Sequence, residues 1–176
     1  MHGVINVLSN PINSDSKLYT NIGPNNYKNF KVRTGNKKDW SFDGFFANND
    51  GFRNDSGYDQ QKIKIQSNFT ISSWDATLKA TLTNLNQETA GYINGLDSYK
   101  DEDFSKRNFN TDAYRDANSQ RLSVRFKKES KNSLISITPY VRNNDMKFFQ
   151  HFLPGTPLEE NNHRSMGIVI QQISDK

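Results

Sequence analysis

Cysteine is absent from the 176 residues, which removes disulfide frameworks, thiol nucleophiles and cysteine-ligated zinc. Glycine is modest at 10 residues and forms neither a P-loop nor a Rossmann pattern. No HExxH or GxSxG motif occurs. Apolar runs are only a handful of residues long, so no transmembrane helix is available. The charge is mildly basic, at +4 with a pI near 9.2, and no Lys/Arg block stands out. A nucleic-acid-binding arm is therefore unsupported. Hydrophobic residues make up just 33% of the chain and the mean hydropathy is −0.88. Leu, Ile, Val and Phe together reach about 23%, barely above the level expected of a disordered chain. Against disorder, aromatics reach 12%, with 12 Phe and 7 Tyr. Asparagine is the commonest residue, at 23. Such a polar, aromatic, Asn-rich chain of one-domain length suits many short strands joined by turns.

Period-2 alternation dominates the pattern. Ile63, Ile65 and Phe69 share one face, opposite Lys62, Lys64, Gln66 and Asn68. Ala76, Leu78, Ala80 and Leu82 alternate with Thr77, Lys79, Thr81 and Thr83. Leu122, Val124 and Phe126 alternate with Arg121, Ser123, Arg125 and Lys127, and Ile135, Ile137 and Val141 with Ser136, Thr138, Tyr140 and Arg142. Phe30 and Val32, then Trp40, Phe42 and Phe46, then Met166, Ile168 and Ile170 complete the set with a weaker strand over 17–22. Eight strands are expected, most with one oily and one polar face, and no segment carries a helical period.

The connections span about residues 23–27, 35–39, 48–60, 70–73, 86–118, 128–133 and 143–164. After the first, short and long ones alternate. Long structureless loops count against a compact soluble domain, whereas a transmembrane β-barrel has short periplasmic turns and long extracellular loops. Its strands also alternate, apolar toward lipid and polar toward the lumen. Trp40 and Trp74, beside short turns, stand where an interfacial aromatic girdle belongs. The competing reading is a soluble secreted β-rich binding module, such as a carbohydrate-binding sandwich, whose strands alternate as well.

Several segments resemble one family. Gly3-Val4-Ile5-Asn6-Val7-Leu8-Ser9 resembles the last plug strand of TonB-dependent outer-membrane receptors, typically G-x-I-N-I-I-T. Lys17-Leu18-Tyr19-Thr20-Asn21-Ile22-Gly23, Asn25-Asn26-Tyr27 and Asn29-Phe30-Lys31-Val32 are similar to the first barrel hairpin of the vitamin B12 receptor and its relatives. Asp50-Gly51-Phe52-Arg53-Asn54 resembles the "dGyrd" segment of the second extracellular loop. Asn84-Leu85-Asn86-Gln87-Glu88-Thr89-Ala90-Gly91-Tyr92 and His151-Phe152-Leu153-Pro154-Gly155 read like further receptor segments.

The resemblance implies an all-β fold: an antiparallel up-and-down meander of about eight strands, a partial transmembrane β-barrel. Residues 1–10 would be the end of the plug domain and 11–176 the N-terminal portion of the barrel. The N-terminus has no basic n-region and opens directly into a strand. Signal peptide, TonB box, most of the plug and the later strands are missing, since such transporters close with 22 strands. The implied protein is a transporter and not an enzyme, in the outer membrane of a Gram-negative bacterium. Its partners would be outer-membrane lipid, the TonB system acting through the missing N-terminal part, and a scarce chelate such as a siderophore or cobalamin, with no nucleic acid.

Candidate residues follow from this reading. Tyr92, Tyr99 and Tyr114 stud the longest predicted loop, beside Phe104 and Phe109, and are the candidate ligand contacts. Lys31, Arg33, Lys64, Lys79, Arg121 and Arg125 are expected to line the lumen. Asp50, Asp55 and Asp59, near Asn48, Asn49 and Asn54, offer oxygen ligands of the kind calcium prefers, without EF-hand spacing; no other cofactor is expected. Asp101-Glu102-Asp103 suggests either paired carboxylates or a solvated turn. His151 and His163 flank one long loop, where surface histidines are commoner than a shared metal. Ile63, Ile65, Leu78, Leu82, Leu122, Val124, Ile135, Ile137, Ile168 and Ile170 are predicted to be solvent-exposed on one convex face.

Overall fold

The computed structural model describes residue 12 and residues 15–150, 153–155 and 157–174. Residues 1–10, the expected plug end, and His151 lie outside the described residues. Eight strands follow in chain order: β1 (Lys17–Gly23), β2 (Tyr27–Asn36), β3 (Trp40–Asn49), β4 (Tyr58–Ile71), β5 (Trp74–Glu88), β6 (Tyr114–Ser130), β7 (Ser133–Phe149) and β8 (Leu158–Ser174). A 3-10 turn (Ser98–Lys100) and a one-turn helix, α1 (Glu102–Ser105), interrupt the β5–β6 loop. The strands form one antiparallel sheet in the order β1 to β8, each paired to the next. The expected meander is therefore present, and a two-sheet sandwich is not. The sheet is open, with β1 and β8 at its edges.

Local chemistry explains the turns. Asn25 and Asn26 both have positive φ, with the Tyr27 N–H donating to Pro24 O at 3.1 Å. That is the type I′ geometry that suits the twist of a two-residue hairpin, and asparagine tolerates it better than most residues. Gly51 has φ +83°, and a Cβ there would come within 2.5 Å of the Ser56 carbonyl oxygen. Only glycine fits.

Strand lengths depart from expectation. β5 continues to Glu88, β6 begins at Tyr114, and β7 and β8 extend to Phe149 and back to Leu158. The predicted connections over 48–60, 86–118 and 143–164 shrink to 50–57, 89–113 and 150–157. These strand extensions are polar on both faces, so no hydrophobic alternation marks them, yet the backbone ladder continues regardless of side chain.

The register sorts the side chains into cross-strand rows. One face carries Arg33, Asp43, Lys64, Thr81, Arg121, Arg142 and Ser165 in a single row. The opposite face carries the apolar side chains. Its rows include Phe42, Ile65, Ala80, Leu122, Val141 and Met166, and next to them Trp40, Ser67, Leu78, Val124, Pro139 and Ile168. No element covers either face among the described residues, because each strand touches only its neighbours in sequence. The only buried hydrophobic residues are Ala47, Ala76 and Ala113. Ile63, Ile65, Leu82, Leu122, Ile168 and Ile170 are exposed, from 40% to 70%. Leu78, Val124, Ile135 and Ile137, expected to be equally open, are only half-exposed. Each has an in-register neighbour on both sides, and for these positions the neighbours are mostly large enough to shade it.

The apolar band is oblique to the rows. Its upper limit is Ile22 on β1, Phe46 on β3, Leu82 on β5 and Met166 on β8. From β1 to β8 that limit falls by three rows, six residues or about 20 Å along the strands at ~3.3 Å each. The seven intervening strand spacings cover about 34 Å at ~4.8 Å each. The limit is thus inclined by about 30° to the rows, near the tilt that strands adopt in a closed barrel. On β5 the band runs from Trp74 to Leu82, about 26 Å along the strand.

Candidate functional site

The polar face concentrates positive charge. Lys64, Lys79, Arg121 and Arg125 line a hollow of about 330 Å³ together with Thr77, Thr81, Ser123 and Thr138. The register brings these four cations together from β4, β5 and β6. None of the four has a carboxylate within ion-pair distance among the described residues. Arg121 lies over the Tyr140 ring at 5.8 Å, and directly opposite it is Arg142, whose Nε donates to Ser165 Oγ at 3.1 Å. Like charges facing one another across a ladder destabilise it, so this face is poised for an anion. Lys31 and Arg33 share the face but not the hollow. Arg33 is engaged instead, its Nε 2.5 Å from Asp43 Oδ1. The cluster's cationic neighbour Arg142 escaped the sequence reading, although its place in the β7 alternation puts it on this face.

The long loops meet above the sheet. Antiparallel pairing puts connections 24–26, 50–57, 89–113 and 150–157 at one end and the short turns 37–39, 72–73 and 131–132 at the other. Asn54 N–H donates to Lys106 O at 2.9 Å, and the Asn108 amide donates to Asp55 O at 2.8 Å. Arg53 reaches across, its Nε donating to Arg107 O at 2.9 Å and its terminal nitrogens donating to Gly91 O and again to Arg107 O. The Asp50 N–H donates to Asn25 O at 2.9 Å, tying in the first hairpin. Three connections thus form one cap. Arg53 was not singled out from sequence, because its partners are backbone carbonyls of a distant loop.

Tyr92 and Tyr99 stand in the 89–113 loop at 74% and 71% exposure. Tyr114 does not belong with them. It is the first residue of β6, in register with Glu88, and its ring stacks on Phe149 with centroids 6.2 Å apart. Phe104 and Phe109 pack against each other at 5.8 Å. The acidic triplet has a structural role: Asp101 Oδ1 accepts from Phe104 N–H at 2.9 Å, capping α1. Glu102 pairs with Lys106 at 2.7 Å, which holds its carboxyl below the usual carboxylate range.

Asp50, Asp55 and Asp59 line a hollow of about 470 Å³ with Asn48, Asn86, Glu88 and Asp116. Asp59 Oδ1 accepts from the Asn48 amide at 2.8 Å. Among the described residues, no three His, Asp or Glu side chains come close enough together to hold a metal ion. His163 lies exposed in β8. No family model matches the chain, and no curated protein or solved structure matches it.

Proposed function

We propose that this chain is a segment of the wall of an outer-membrane β-barrel of the TonB-dependent receptor type, in which the apolar face meets lipid and the cationic face lines the lumen. The observation that carries this reading is the uncovered, oblique apolar band. A soluble domain does not leave so large a contiguous apolar surface bare. Inclined strands crossing a planar slab need a slanted band, and at a tilt of about 40° the β5 stretch corresponds to about 20 Å of height, near the ~25 Å band of such barrels. Trp40 and Trp74 lie on this face at the short-turn end, where the strands would leave the bilayer. Joining further strands to the β1 and β8 edges would close the barrel and remove two exposed ladders.

On this reading the receptor captures a scarce chelate, a siderophore or cobalamin by the family resemblance, with its loop cap. Transport would be driven through TonB, with no chemical step performed on the ligand. The four-cation hollow favours anionic cargo. Replacing Lys64, Lys79, Arg121 and Arg125 by Gln in the full-length receptor should lower uptake of an anionic chelate by about tenfold or more, leave a neutral one unaffected, and flatten the salt dependence. Transport assays on intact cells check this. The topology test places epitope tags near Asp97 and near Ser130. Labelling of Asp97 alone on intact cells is expected, and labelling at Ser130 alone would overturn the assignment.

A further inference from the structure

Above the apolar band the strands do not stop, and their outward face changes character. The row Gln61, Asn84, Asn118, Asp145, Asn162 is followed by Asn48, Asp59, Asn86, Asp116, Lys147, Glu160. Their side chains bond laterally: Asn84 Nδ2 to Gln61 at 2.9 Å and Asn86 Nδ2 to Asp116 Oδ1 at 3.2 Å. At the border lies a groove of about 710 Å³. Leu122, Val141 and Met166 form its apolar side, and Gln120, Asn143 and Arg164, one cross-strand row higher, form its polar side. Arg164 is exposed and makes no ion pair among the described residues.

We infer that this border groove and the amide rows above it hold a phosphorylated glycolipid of the surrounding leaflet. An acyl chain would lie on Leu122, Val141 and Met166, the phosphate on Arg164, and the sugars against the asparagine rows. The inference rests on the lipid-facing reading of this sheet. Groove polarity selects an amphiphile with an anionic head, because the lone cation stands just past the apolar limit. Height selects a saccharide. From Leu82 to Glu88 β5 continues for about 20 Å along the strand, or about 15 Å of height at barrel tilt. A phospholipid headgroup layer occupies only about 5–7 Å per leaflet. The remaining rows are amides and carboxylates, which suit sugar hydroxyls.

The test uses the full-length receptor, with rough lipopolysaccharide in phosphatidylethanolamine vesicles and phosphatidylglycerol vesicles as the two lipids compared. Heat-modifiable migration on gels reports membrane insertion, and retained glycolipid is quantified by mass spectrometry. We expect an inserted protein that retains lipopolysaccharide in preference to phosphatidylglycerol. Arg164→Ala should reduce retention by about tenfold, on the scale of one charge-assisted contact, and Arg164→Lys should keep most of it. An inserted protein with no preference, or with Arg164→Ala unchanged, overturns the glycolipid site alone. A protein that never inserts overturns the lipid-facing reading and this site with it.

Discussion

Ile65→Arg is expected to destabilise the inserted receptor by about 2–4 kcal/mol, the cost of a cation near the middle of a barrel's lipid face. Ile65 lies in the interior of the β4 apolar stretch and is 44% exposed. In water, such an exposed position would accept arginine with a change of only about 0.5 kcal/mol. The two environments therefore predict effects several-fold apart for one substitution. Ser123→Arg, one face over in β6, serves as the control and should cost little by comparison. Equilibrium unfolding from lipid vesicles measures both. A small effect at Ile65 would mean that the apolar band faces something other than hydrocarbon.

Arg53→Ala is expected to separate the loop cap without unfolding the sheet. Its guanidinium donates to the Arg107 and Gly91 carbonyls, both in the 89–113 loop. A hydrogen bond involving a charged partner contributes about 1.5–3 kcal/mol, and the lower end applies because Arg53 is only half-buried. Amide exchange in the 89–113 loop should accelerate by about tenfold or more, with Asn54, which donates to Lys106 O, among the amides affected. The melting transition should barely move, since the ladder β4–β8 carries the fold. Arg53→Lys should not rescue, because a point charge cannot reproduce the planar fork. Unchanged exchange in Arg53→Ala would show that backbone bonds alone hold the cap. Ligand affinity measured on the same variant would show whether a pre-assembled cap matters for capture.

Period-2 alternation by itself determined the eight strands, their order and the sorting of their faces. Wherever one face is apolar and the other charged, as over 61–69 or 121–127, the residue pattern leaves a single way to lay the strand down. That contrast disappears beyond Leu82, Leu122, Val141 and Met166, where both faces are polar. The strand ends and the position of Tyr114 in β6 were therefore invisible in sequence, and only the hydrogen-bonded ladder decided them. Register decided the rest. It gathered Lys64, Lys79, Arg121 and Arg125 from three strands into one hollow, set Arg33 against Asp43 rather than among them, and tilted the apolar band across the rows. It also placed Arg53 beneath a loop more than fifty residues away in sequence at Arg107. Alternation is local and has a period of two, so it states which face a residue occupies. How far one strand slides past the next depends on contacts between distant segments, and the three-dimensional pairing alone supplies it.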